Sequence, residues 1–120
     1  MSDVSLTVPG RAEYLRLVRL AAADTGARAN LSIEDIEDLR IAVDELTFAL
    51  MGERSGDAML TLHYTARPGA VEIEGSCATD DTDFVVSDLS RTIIGGVTSE
   101  YEVGEADGER RFRLVKRTRT

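Results

Sequence analysis

The 120-residue chain has no tryptophan, and its Phe and Tyr bring the aromatic content to only 5%. A core must therefore be built mainly from Leu, Ile, Val and Ala. A single cysteine, Cys77, excludes an intrachain disulfide framework and fits a reducing compartment. One cysteine and one histidine, His63, leave too few soft ligands for a structural or catalytic zinc site. No apolar run approaches the ~20 residues that a bilayer crossing needs. The start, Met1-Ser2-Asp3-Val4, lacks the basic flank and apolar stretch of a secretory signal. Neither GxxxxGK[ST] nor GxGxxG occurs. With 42% hydrophobic and 30% charged residues, the chain reads as one metal-free, cytoplasmic domain over residues 1–120.

Positive charge is scarce and unevenly spread. Fourteen Lys+Arg against twenty-two Asp+Glu give −8, which disfavours a nucleic-acid duplex as partner. Arg110, Arg111, Arg113, Lys116, Arg117 and Arg119 crowd the last eleven residues, where no acid occurs. The first 109 residues thus hold eight cations against twenty-two acids, or −14. The plain reading is a last strand with a solvated, charge-balancing end; contact with an acidic partner is the alternative. Lys116 is the only lysine.

Val4-Ser5-Leu6-Thr7-Val8 alternates with period two and meets Pro9-Gly10, predicting a strand and a turn. Arg11 to Thr25 predicts a helix with Tyr14, Leu17, Val18 and Ala21 on its buried face, Arg16 and Arg19 outside it, and Gly26 as C-cap. Ser32 is a good N-cap for a second helix, and Glu34 and Asp35 suit its positive end. Ile36, Leu39, Val43, Leu46 and Leu50 form its apolar stripe, Gly52 ends it, and Glu45 falls near the stripe's edge. Met59–Tyr64 and Val71–Glu74 predict a hairpin around Arg67-Pro68-Gly69. A polar loop, Thr79 to Asp83, precedes a helix predicted over Phe84–Ile94, with Val85, Leu89 and Ile93 inward and Gly95-Gly96 closing it. Strands around Val97–Val103 and Arg110–Val115 finish the chain. The order β-α-α-β-β-α-β-β implies an α+β, two-layer sandwich of five strands and three helices.

Few residues carry chemistry by themselves. His63 in a strand reads as solvated or structural, and Cys77 as a buried, inert thiol. Asp80, Asp81 and Asp83 lack the calcium-loop spacing and its terminal Glu, so a solvated loop is the default. The second helix holds Glu34, Asp35, Glu37, Asp38, Asp44 and Glu45. Asp44 and Glu45 come late, where the helix dipole disfavours acids, which points to a nearby cation, an inherited function or an exposed pair.

The string Ile33-Glu34-Asp35-Ile36-Glu37-Asp38-Leu39-Arg40-Ile41-Ala42-Val43-Asp44-Glu45-Leu46 resembles the N-box helix of RsbW-type anti-sigma factors. These belong to the GHKL (histidine kinase-like, or Bergerat-fold) ATPase superfamily, and the likeness extends over nearly the whole chain, most of all to the short UsfX-like branch. In that family the N-box reads Glu-x-x-x-Asn, with Glu as general base for serine phosphorylation and Asn as magnesium ligand. Glu45 matches the first position, and the second is Ala49. The family's Asp-x-Gly-x-Gly falls on Cys77, Thr79 and Asp81, so all three of its defining residues are missing. About eight residues remain for an ATP lid, and Gly95-Gly96 follows the helix, not its N-terminus.

Losing the adenine acceptor and a metal ligand costs ~1.5–3 kcal/mol each. Together that is ~10²–10⁴ in affinity, enough to bring a micromolar nucleotide site to roughly millimolar. The resemblance therefore implies a non-catalytic member, with Glu45 a relic base and no cofactor or metal. Its expected partners are a sigma factor, a STAS-domain anti-anti-sigma factor and a second copy in a homodimer, with Arg16 matching a partner-contacting arginine of the family's first helix. Two competitors stand beside it. One is a serine kinase that uses ATP and Mg through Asp80 or Asp83; the other is an interaction module whose partner is not a sigma factor.

Overall fold

The structure, a computed structural model, describes residues 3–52, 58–78 and 86–118. Its elements are β1 (Val4–Pro9), a 3₁₀ turn (Ala12–Tyr14), α1 (Leu15–Arg28), α2 (Ile33–Met51), β2 (Met59–Arg67), β3 (Ala70–Ala78), α3 (Asp88–Val97), β4 (Glu100–Ala106) and β5 (Glu109–Arg117). The strands form one antiparallel sheet in the order β1-β2-β3-β5-β4. The expected order of elements and the two-layer α+β architecture are both present.

Strand alternation sorts the sheet into two faces. One cross-strand row, Leu6–Leu62–Gly75–Phe112–Val103, points at the helices. The neighbouring row, Ser5–His63–Glu74–Arg113–Glu102, points the other way and is polar throughout. Phe112 owes its place to Gly75. A Cβ at Gly75 would lie 2.8 Å from Phe112 Cζ, so the bare glycine is the seat of the ring. Tyr64 crosses the core and its hydroxyl donates to Val18 O of α1 at 3.1 Å, with burial raising its pKa well above the ordinary phenol value.

The three helices lie side by side, α2 between α1 and α3, with α1 over β2 and α2 over β5 and β3. In α2 the predicted cap and stripe are present. Ser32 Oγ accepts from Asp35 N at 3.1 Å; Leu39, Val43, Leu46 and Leu50 are buried; and Gly52, at φ +66°, ends the helix.

The two outer helices differ from expectation. Gly26 is not a cap but lies buried inside α1, where a Cβ would sit 2.9 Å from Ile36 Cγ1 of α2. It is kept small by the approach of two helices, and Asn30, at φ +63°, makes the turn beyond. The buried face of α1 carries Val18, Ala22, Thr25 and Gly26, which leaves Leu17 47% and Leu20 60% exposed. α3 begins four residues later than predicted, with Ser87 as cap accepting from Ser90 N at 3.1 Å. Leu89 is 71% exposed, Ile94 is the buried residue of α3, and Gly95 and Gly96 lie within the helix instead of closing it. Phe84 and Val85, like the whole loop Thr79 to Asp83, lie outside the described residues. β4 starts at Glu100, after Val97 has ended α3.

Candidate functional site

Each acid of α2 acquires its surroundings from a different element. On one flank Asp44 meets α1: its Oδ1 lies 3.3 Å from Arg19 Nε. Burial raises the Asp44 carboxyl above its usual value, and the Arg19 charge opposes that shift. A nearby cation thus accounts for this late acid. The opposite flank faces α3. There Ser90 Oγ donates to Glu45 Oε2 at 2.8 Å, both residues half-buried. Ala49, one turn further along that flank, is half-buried and offers an aliphatic group only.

The first turns of α2 show what the sequence reading missed. Lys116 is 5% exposed, not solvated, and its Nζ lies 3.1 Å from Asp38 Oδ2 and 3.7 Å from Asp35 Oδ1. At the other end of the same strand Arg110, 4% exposed, donates to Leu50 O in the last turn of α2 at 3.4 Å. β5 therefore places one cation against each end of the central helix, where carboxylates and unsatisfied carbonyls gather. The expected solvated tail is corrected for these two residues. A signal existed: residues 110, 112, 114 and 116 share one strand face, and Phe112 and Leu114 make that face apolar. Glu37 pairs with Arg40 at 2.8 Å within the helix.

The remaining candidates fall in separate places. Cys77 is buried at the end of β3, and burial pushes its thiol pKa up. That fits an inert thiol. Thr79, Asp80, Asp81 and Asp83 lie outside the described residues. His63 is on the open face of the sheet, with Ser5 Oγ 2.8 Å from its Nδ1. On that face Arg113 bridges Glu72 at 3.2 Å, Glu100 at 3.0 Å and Glu102 at 3.7 Å. Among the described residues no group of three or more His, Cys, Asp or Glu is arranged to hold a metal ion, and no helix is long and apolar enough to cross a membrane.

Arg16 lies on the solvent face of α1, and the exposed Leu17 and Leu20 share that face. On α2, Ile41 and Phe48 stand seven residues apart on one exposed stripe, Phe48 at 63% exposure. Spacing alone puts Leu17 in the core and does not distinguish Leu20 or Phe48. Periodicity ranks such residues by spacing, and the spacing is the same on either side of a helix rich in Leu and Ala.

No family model matches the chain. Among curated proteins it is 33% identical over 107 residues to a serine-protein kinase RsbW of Listeria innocua, covering 85% of the chain and 62% of that protein. It is 37% identical over 82 residues to the anti-sigma-F factor RsbW of Mycobacterium tuberculosis, covering 68% of the chain and 49% of that protein. The chain thus spans about half to three fifths of the length of these relatives. Among solved structures, that of the RsbU and RsbW domains of Rv1364c from Mycobacterium tuberculosis superposes with a TM-score of 0.69 over 95% of this chain and 31% of that one, at 15% identity. Identity of 33% over 85% of the chain, on a fold that superposes with a structure containing an RsbW domain, has one reading: the chain belongs to the RsbW-type family of the GHKL, histidine kinase-like fold.

Proposed function

We propose that this chain regulates transcription by capturing a sigma factor through protein–protein contact, without transferring phosphate. The observation that carries the reading is the outer face of α1, where Arg16 stands beside the exposed Leu17 and Leu20. Apolar side chains left in water around an arginine are what a protein interface uses as anchors, because the guanidinium pairs with carboxylates while its neighbours exclude water. A relative bearing the name anti-sigma-F factor supports the choice of partner.

The chemistry of the α2 flank supports the absence of turnover. A nucleotide site of this family needs a metal ligand one turn after Glu45 and a carboxylate at the end of β3; the chain has Ala49 and a buried Cys77 there. Neither side chain can hold magnesium on a triphosphate or accept from an adenine amine. These residues do not fit Mg-ATP. A STAS-domain antagonist and a homodimer belong to the same proposal.

The test is co-purification with sigma subunits from the native host, paired with titration calorimetry against Mg-ATP. A stoichiometric sigma subunit and no nucleotide binding tighter than ~100 μM are the expected results. A complex without any sigma subunit would sink the choice of partner.

A kinase reading keeps two observations in its favour. Glu45 is retained and already accepts a hydrogen bond from a serine hydroxyl, and a relative is named serine-protein kinase. Mg-ATP binding below that threshold, with phosphate transfer to a STAS-domain serine, would establish it.

A further inference from the structure

We propose that α3 is a detachable cover on the Glu45 flank of α2, latched by the Ser90–Glu45 hydrogen bond, and that the chain opens there far more often than it unfolds. The first observation is a pair of glycines with nothing to explain them. Gly95 and Gly96 are consecutive, exposed and inside a ten-residue helix. A Cβ on either would meet nothing within 4 Å, and neither has a positive φ. Gly26 and Gly75 are required by close approach; these two are not. Each lowers the helix equilibrium about five-fold relative to alanine, so the pair lowers it about thirty-fold.

The second observation is how little holds the helix down. A helix this short is unstable alone in water and depends on docking. α3 rests mainly on α2, through the buried Ile94 with Val97 packed at the edge of the core, while Leu89 points to solvent and contact with β4 is slight. Thr92 and Thr98 turn their hydroxyls back onto Asp88 O and Ile94 O of the same helix, at 2.9 and 2.8 Å. The cross-helix tie is Ser90 Oγ donating to Glu45 Oε2 at 2.8 Å.

The latch has a chemical consequence. While α3 is closed, a serine hydroxyl of the chain itself engages the Glu45 carboxylate. A ligand that donates to Glu45 Oε2 competes with Ser90 for that oxygen, and its apparent affinity there falls with the closed fraction. Opening frees the carboxylate and uncovers the apolar seat of Ile94 together. Closure is therefore a switch on the flank of α2 that a partner can bias.

Native-state hydrogen exchange on the full chain at neutral pH tests this, independently of which partner it binds. Amides of α3 are expected to exchange at least about 100-fold faster than those of Leu39–Leu46 in α2, as a locally opening unit does. Gly95→Ala with Gly96→Ala should slow α3 about thirty-fold and leave α2, β2 and β3 unchanged. Ser90→Ala should speed α3 exchange about ten-fold through loss of a bond to a charged group. Glu45→Gln, which keeps an acceptor, should have a smaller effect. Exchange of α3 together with α2 as one unit would overturn the proposal. So would glycine replacements that slow every segment equally, or a Ser90→Ala variant with unchanged α3 rates.

Discussion

Lys116, the chain's only lysine, ends 3.1 Å from the Asp38 carboxylate although 78 positions separate the two residues. The contact joins the last strand to the first turns of the central helix, with Asp35 on its inner side at 3.7 Å. Both Lys116 and Asp35 are almost wholly withdrawn from water.

A buried cation facing two carboxylates is costly to break from one side. Lys116→Met removes the charge but keeps the side-chain length, so the buried Asp35 and the half-buried Asp38 lose their lysine. The expected loss is about 3–5 kcal/mol of unfolding free energy, read from urea denaturation. Adding Asp35→Asn and Asp38→Asn to that variant should recover part of the loss, because no uncompensated charge then remains. A single variant within about 0.5 kcal/mol of the parent would show that the cluster is not what holds β5 to α2.

Gly75→Ala tests the seat of Phe112. The new methyl would lie 2.8 Å from Phe112 Cζ, so the ring must leave its place on the inner sheet face. Overpacking of this kind costs about 1–3 kcal/mol. Combining it with Phe112→Leu should bring the cost below that of the two single changes added together. Strict additivity would deny the contact.

At the surface, Arg16→Glu and Leu20→Asp are expected to weaken sigma-factor capture about ten-fold or more each, as loss of an interface anchor does. Both residues are exposed, so stability should stay within about 0.5 kcal/mol of the parent. Thermal melts and calorimetric titration with the co-purified partner separate the two effects. Undiminished binding by both variants would move the interface off α1.

The open sheet face makes a prediction about acid. Hydrogen bonds from Arg113 and Arg117 hold the Glu100 carboxyl below its usual 4.5. Desolvation pushes Glu72 upward, but the hydrogen bond from Arg113 and the Arg113 charge help outweigh it and leave that carboxyl low as well. A carboxyl with a depressed folded-state pKa contributes stability that is present above the unfolded value and is lost as pH falls through the folded one. Unfolding free energy should therefore drop more between about pH 5 and pH 3 in the parent than in a Glu72→Gln, Glu100→Gln variant. High salt should shrink the difference, since Glu100 is exposed and Glu72 and Arg113 are only half-buried. Asp44 acts in the opposite sense: burial raises its pKa, so its ionisation above pH 3.8 costs stability that Arg19 only partly restores. Equal acid slopes in parent and variant would remove Arg113 as the organiser of this face.

Much of the central helix was legible along the chain, and the misreadings elsewhere have a common cause. Ser32, the stripe from Leu39 to Leu50 and Gly52 were readable because caps and periodicity are local, set within one or two turns. Gly26 and Gly95-Gly96 misled because a glycine reads alike at a helix end, at a helix crossing or in an exposed helix interior. Leu17 and Leu89 misled because a helix with apolar residues on several sides does not announce which side the sheet will cover.

What the residues alone determined was the order of elements, the two periods that build them and, with a single cysteine, the exclusion of an intrachain disulfide. Those follow from backbone preference and side-chain alternation, which act between near neighbours. Only the tertiary structure decided which acid meets which partner: Asp38 with Lys116, Asp44 with Arg19, Glu45 with Ser90. Charge and hydrogen bonding act over a few ångströms of space, and the packing of sheet and helices alone brings residues so far apart in the chain within that reach.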